Sequence, residues 1–247
     1  MDRMIYIAMS GAKQALEQQA SVSSNMANAS TVGFRAQLHN FRAVPVVGTE
    51  AATRTFVVAS TPGADLRRGP MVETGRALDV AVQADGWITI QMPDGSEGYT
   101  KAGNLQIGGD GQLLTMDRRP VIGDAGPVVV PPAASIGVDR NGVVTARGVG
   151  AAPGGAAEVG RLKLVNPPAA DLVRVDDGVF RVRAGVPAPQ ADRNVTLLTG
   201  MLEGSNVNPV EAMIGMISNA RRFDMQMKAL QTADNNEQSA NQLLSHG

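Results

Sequence analysis

The residues of this chain that could carry chemistry are few and badly placed for it. His39 and His246 are the only imidazoles in 247 residues. A nucleophile–histidine–carboxylate relay needs an imidazole held between its two partners, and a zinc centre needs several convergent ligands. One histidine lies in an irregular stretch and the other beside the C-terminus, so neither centre is expected. Cysteine is absent, which removes thiolate ligands, thiol nucleophiles and disulfides. "DRNG" at 139–142 begins like a calcium loop but lacks the remaining acidic positions, and a hairpin turn accounts for it better. Asp176 and Asp177 are adjacent carboxylates of the kind a solvated turn carries. "GVGAAPGG" has the wrong spacing for a phosphate cradle. Arg67–Arg68 and Arg221–Arg222 are two-residue basic steps common on strand ends and helix faces. The expectation is a protein that is not an enzyme and holds no metal or cofactor.

What stands out instead is a polar face without charge. From Gln14 to Ser30 the only ionised side chain is Glu17, while Gln14, Gln18, Gln19, Ser21, Ser23, Ser24, Asn25, Asn28 and Ser30 crowd the segment. Surface helices ordinarily carry Lys and Glu outward, so this face calls for a partner that is neither core nor water. The charges of the whole chain nearly cancel, 22 Lys+Arg against 23 Asp+Glu, and aromatics are 3%. No bulk field or stacking surface therefore favours nucleic acid or an anionic membrane. The apolar start "MDRMIYIAMSGAKQ" is interrupted by Asp2 and Lys13, too short for a membrane span or a cleaved signal peptide. It reads as helix.

The elements that position this face are two terminal helices. Ile5, Ala8, Ala12, Ala15, Gln19, Val22, Met26 and Ala29 recur at spacings of three and four, a seam of period 3.5 over about residues 3–28. Gln19 is a polar seam position that can fix register at a cost in stability. At the other end Asn208-Pro209-Val210-Glu211 reads as N-cap, first-turn proline and capping-box carboxylate. Met213, Met216, Ala220, Phe223, Met227 and Leu230 then repeat at three and four, the pattern continues more weakly through Ala233, Ala240 and Leu244, and the helix can run to about residue 244. Between the helices, Asp85-Gly86, Asp94-Gly95, Asp110-Gly111, Asn141-Gly142 and Asp177-Gly178 sit beside short apolar runs such as "WITIQM" and "GVFRVR". These are hairpin signals. The fold class expected is α+β: an antiparallel all-β central domain over 76–202, an extended connector with one strand over 36–75, and a coiled coil of the terminal helices.

The two ends carry motifs as well as periodicity. "SSNMANASTVGFRAQ" contains N-x-x-N-x-x-T-x-G-F followed by a basic residue, at Asn25, Asn28, Thr31, Gly33, Phe34 and Arg35. "EGSNVNPVEAMIGMISNARRF" contains S-N-V-N-P-V-E from Ser205, with Asn206, Asn208, Pro209 and Glu211. The chain resembles the flagellar rod and hook family at both ends, and "LDVAVQADGWITIQ", "YTKAGNLQI" and "GPVVVPP" are similar to its shared β domain. Val32 stands where members often have proline or asparagine.

That resemblance implies a structural subunit of the bacterial flagellar rod, the drive shaft that crosses the periplasm. "MDRMIYIAMSGAKQ" with "ARRFDMQMKAL" points to the proximal rod, with a distal rod subunit as the alternative. A β-rich binding module on a coiled-coil stalk is a remoter reading. Implied partners are further copies, other rod proteins and the flagellar type III export apparatus, with no nucleic acid and no membrane insertion. In such subunits the termini, here 1–35 with 203–247, pair inside the tube wall and the β domain lies outside. The positions expected to make assembly contacts are Ile5, Met9, Ala12, Leu16, Val22, Ser24 and Met26 on the first helix. On the second they are Met213, Met216, Ala220, Phe223, Met227 and Leu230.

Overall fold

The computed structural model describes residues 2–38, 41–45, 55–59, 63–83, 85–133, 135–148, 155–175 and 178–245. His39, His246, Asp176, Asp177 and most of the Gly/Ala loop after residue 148 lie outside these residues. The chain divides into two compact units, one of residues 1–29, 37–65 and 207–247 and the other of residues 30–36 and 66–206.

The first unit is built on α1 (Asp2–Ala27) and α2 (Pro209–Ser245). At 1.5 Å per residue these span roughly 39 and 55 Å. The α1 seam matches the sequence period: Ala8, Ala12 and Ala15 are buried, and Ser21 joins them. On α2 the buried positions are Ala212, Asn219 and Ala233, with Met216, Phe223 and Leu230 half-buried. This row shares Met216, Phe223, Leu230 and Ala233 with the apolar repeat but takes Ala212 and Asn219 where the repeat has Met213 and Ala220. Met213, Ala220 and Met227 are exposed. Small side chains explain the shift, because they let the two backbones approach closely. A Cβ placed on Gly11 would lie 2.9 Å from the Gln226 side chain, and one on Gly215 would lie 3.4 Å from Val22. With Arg222 Nη1 reaching Gln18 Oε1 at 3.5 Å, these pairs run in opposite order along the two helices, so the helices are antiparallel.

The segment expected to be a connector is not a bare link. Gln37–Leu38 pairs antiparallel with Gly63–Ala64, and Phe41–Pro45 pairs antiparallel with Thr55–Ala59. The first of the paired runs and the last thus bracket two short ladders within the helical unit, while residues 66–75 belong to the β unit.

The second unit is antiparallel throughout. Its largest sheet orders Leu164–Val165, Trp87–Gln91, Glu97–Thr100, Phe180–Val182 and Leu172–Arg174 side by side. A three-stranded sheet joins Ser135–Val138, Val143–Arg147 and Ala156–Arg161. Four of the expected turns bring their flanking strands together or carry the required conformation: Gly95, Gly111, Gly142 and Gly178 all have φ between 76° and 80°. At 139–142 the Asp139 carboxylate accepts the N–H groups of Asn141 and Val143, each at 2.8 Å, which is hairpin chemistry. Asp85-Gly86 is different. Val80–Val82 pairs with Leu197–Thr199 and not with the strand that follows it, so no hairpin forms there. Gly86 is needed because a Cβ would sit 2.6 Å from Val195.

Trp87, Ile88, Thr89 and Ile90 are all buried, so this strand is covered on both faces. That is why its apolar run shows little alternation. Ile88, Ile90, Leu105, Leu113, Val121 and Leu197 centre a single core, and the Trp87 and Phe180 rings pack 4.7 Å apart at 51°. The C-terminal strands close the unit: Met201–Glu203 pairs with Met71–Glu73 as Leu197–Thr199 does with Val80–Val82.

Candidate functional site

Within the β unit, three chain segments distant in sequence meet at Gly33–Ala36, Arg67–Gly69 and Glu203–Asn206. Arg35 Nη2 donates to Glu203 Oε1 at 2.6 Å, and both side chains are fully buried. Gly69 N–H donates to the same carboxylate oxygen at 3.0 Å. Backbone bonds run alongside: Gly33 N–H to Glu203 O at 2.7 Å and Asn206 N–H to Phe34 O at 3.3 Å. Asn206 then acts as a two-ended tie. Its Oδ1 accepts Ala36 N–H at 2.7 Å and its Nδ2 donates to Arg67 O at 2.8 Å.

The signature residues Gly33 and Phe34 each have a physical task here. Gly33 has φ of 69° and passes so close to Lys101 that a Cβ would fall 2.3 Å from its carbonyl carbon. Phe34 is buried, with the Arg174 guanidinium 4.5 Å above its ring while Arg174 also donates to Arg35 O. Thr31 is exposed. Lys101 is buried with its ammonium 5.2 Å over the Trp87 ring. Burial pushes its pKa down to about 8, and neighbouring Glu203 and Arg35 pull in opposite directions.

The other signature residues belong to the helical unit and govern helix ends. Asn25 behaves like a strand partner: its Oδ1 accepts Gln37 N–H at 2.7 Å and its Nδ2 donates to Gln37 O at 3.0 Å. Asn28 Nδ2 donates to Ser24 O at 2.9 Å, the same carbonyl that accepts Asn28 N–H at 3.1 Å, and so reinforces the last turn of α1. Asn208 caps α2, with its Oδ1 accepting Val210 N–H at 3.0 Å. Pro209 occupies the first helical position and Glu211 the first turn. The same Asn208 oxygen accepts Glu211 N–H at 3.4 Å, and among the described residues no return bond from the Glu211 carboxylate to Asn208 is present, so the capping box is one-sided.

The assembly positions fall into two sets. Met9, Leu16, Met213 and Met227 are 54%, 56%, 48% and 40% exposed, and Ala220 is exposed as well. Ala12 is buried, and Ile5, Val22, Ser24, Met26, Met216, Phe223 and Leu230 are half-buried. Tyr6, Val210, Ile214, Ile217 and Met225 add exposed apolar surface to the same two helices. Sequence reasoning did not single out Glu203, Lys101 or Arg174. The available signal was a lone carboxylate beside the Gly204–Ser205 start of the C-terminal motif, facing a motif that ends in a cation.

Residues 5–35 match the family model described as "Flagella basal body rod protein". Residues 81–146 match "Flagellar hook protein FlgE/F/G D1 domain", and residues 198–243 match "Flagellar basal body rod FlgEFG protein C-terminal". These matches define the class as flagellar axial structural proteins. The chain is 53% identical to the flagellar basal-body rod protein FlgF of Salmonella typhimurium, over 99% of each chain. It is 52% identical to the FlgF of Escherichia coli, again over 99% of each. It is 29% identical to the flagellar basal-body rod protein FlgG of Agrobacterium fabrum, over 94% of this chain and 95% of that one. The chain belongs to the FlgF family of flagellar basal-body rod proteins. The family is structural, not enzymatic.

Proposed function

We propose that this chain is a structural subunit of the proximal rod of the bacterial flagellar basal body. It polymerises through its terminal helices, with copies of itself and other rod proteins, into the tubular shaft that transmits torque. The supporting observation is the apolar surface left open on α1 and α2 by the antiparallel pair, from Met9 and Leu16 to Met213 and Met227. Contiguous exposed apolar surface on a soluble chain marks a contact site. A heterologous contact that does not close on itself generates a helical filament.

In this reading the terminal helices form a coiled coil in the inner wall, and the β unit lies outside it. The subunit passes through the flagellar type III export apparatus without a cleaved signal peptide and works in the periplasm. No described helix is long and apolar enough to cross a membrane. The identities of 53% to an FlgF and 29% to an FlgG favour the proximal over the distal position. Electron microscopy of purified basal bodies carrying a tagged copy tests the assignment. Label on the membrane-proximal part of the rod is expected, and label elsewhere or none overturns it.

A further inference from the structure

One residue of the β unit stands in a conformation that its side chain does not suit. Arg118 has φ of 58°, and every other described residue with positive φ is a glycine. An L side chain crowds its own backbone there, whereas glycine takes the position freely. The turn does not need the arginine. Arg118 N–H donates to Thr115 O at 2.9 Å and Thr115 N–H to Arg119 O at 2.9 Å, and Arg119 N–H donates to Thr115 Oγ1 at 3.2 Å. Backbone and the Thr115 hydroxyl therefore close it without help from position 118. Arg118 is exposed, and among the described residues its guanidinium has no hydrogen-bonding or ionic partner. Met116 on the same tip is 61% exposed. Asp117 between them lines a small cleft with Phe34 and Gly178, so the tip presents one apolar knob and one free cation.

The same unit carries a receptor of matching chemistry. A groove of about 350 Å³ is walled by Val182, Val186, Pro187 and Pro189 and has Asp171 and Asp192 in its lining. Among the described residues neither carboxylate has an ionic partner, and Asp192 is fixed by accepting Asn194 N–H at 2.9 Å. No residue of the 115–119 tip lines this groove, which leaves it open to the tip of another chain.

We propose that the 115–119 tip of one copy docks into this groove on a second copy, with Met116 against Val182 and Val186 and the Arg118 guanidinium between Asp171 and Asp192. The contact rests on the rod reading above and adds to it a junction made by the β unit. Knob and groove are different surfaces of one unit, so the contact is heterologous and can repeat without closing. Charge decides the match: a free cation meets two unpaired carboxylates, and an arginine–carboxylate pairing is directional as well as attractive. The strain at position 118 then has a use, because the chain gives up backbone ease to place a cation at the junction.

The test begins with Arg118→Gly, which removes the strain and the cation together. The full-length variant should melt no lower than wild type, while its incorporation into basal bodies, from cells secreting equal amounts of subunit, falls several-fold. A lower melting temperature would make Arg118 a folding residue, and undiminished incorporation would remove it from any contact; either overturns the proposal. Arg118→Glu and Asp171→Arg should each impair incorporation, and the double variant should restore most of it. Cross-linking reads the occupant. The chain has no cysteine, so Met116→Cys and Val186→Cys copies expressed together can join each other only through the introduced thiols. Copper phenanthroline oxidation of rods is expected to give a disulfide-linked pair of one Met116→Cys and one Val186→Cys chain. Pairs of either variant with itself, or monomers alone, in rods that contain the chain would overturn the second copy as occupant. Tagged wild-type chain absent from rods would defeat the rod reading instead, and the same cross-link in concentrated purified chain would then decide the contact.

Discussion

Arg35 and Glu203 lie 168 residues apart in sequence, and their side chains meet at 2.6 Å with neither exposed to solvent. This ion pair joins the end of the N-terminal signature to the strand that precedes the C-terminal one. A buried pair contributes little net stability against an apolar replacement, but removing one partner strands a charge in low dielectric. We predict that Glu203→Gln costs about 3–5 kcal/mol in the β unit. The double variant Arg35→Met with Glu203→Leu should recover most of that loss. Thermal melts of the full chain followed by Trp87 fluorescence measure both. A double variant as damaged as the single would show that the pair's geometry, not its charge balance, matters.

A second prediction concerns pH. The folded-state pKa of Lys101 is lowered from 10.5 to about 8 by burial, so between those values the unfolded chain binds more protons than the folded one. Stability therefore rises with pH through this window, and below about pH 8 the cost of burying the charged ammonium is fully present. The full span corresponds to about 3 kcal/mol. Lys101→Met should be more stable at pH 7 and should lose this part of the rise. Equal pH profiles for the two proteins, from denaturant melts between pH 7 and 10.5, would contradict it.

The helix ends give a third prediction. Asn208→Ala removes the acceptor for Val210 N–H and should cost about 1 kcal/mol, while Asn208→Asp or Asn208→Ser should retain most of the cap. Amide exchange at the first turn of α2 reads the effect. Equal protection in the alanine variant would show that another group satisfies these donors.

How much of this was legible follows from the range of the interactions. Periodicity and capping are local, so both helices, the Asn208 cap and the turns at Gly95, Gly111 and Gly142 can be read directly. The first half of the α2 seam was displaced by one residue because hydrophobicity weights Met213 and Ala220, whereas close packing selects Ala212 and Asn219; Ala233 lies in both rows. A small residue in a contact row carries no apolar signal. Gly86 was taken for a turn because Asp-Gly is ambiguous between a left-handed turn and a close approach. The Glu203 cluster could not be read from local sequence at all, since its partners at 35 and 69 are separated from it by most of the chain.

Phe223 gives a fourth prediction. Full burial would set the cost of Phe223→Ala at about 3–5 kcal/mol, but the ring is half-buried in the isolated chain. We predict a smaller loss there, about 1–3 kcal/mol, and a proportionally larger defect in rod assembly, where neighbours would cover the remainder. The β-unit melt should not move. A motile strain with normal rods would show that no neighbour covers this side chain.

The last prediction returns to the uncharged face of α1. Ser24 is half-buried, and its carbonyl accepts both the backbone and the side-chain N–H of Asn28, so its backbone is held in the last turn of α1. The hydroxyl has no such duty among the described hydrogen bonds, and Ser24→Glu adds a carboxylate without removing a described hydrogen bond. If this face meets water in the rod, the change should alter stability by no more than about 0.5 kcal/mol and leave assembly intact. If it meets another subunit, the carboxylate must be desolvated without a partner, at several kcal/mol or about that order. We predict the second outcome: a monomer melting as the wild type does, secreted in normal amounts, and failing to form rods. Normal secretion together with normal rods would remove Ser24 from the subunit contact and leave the polar run around it without a partner.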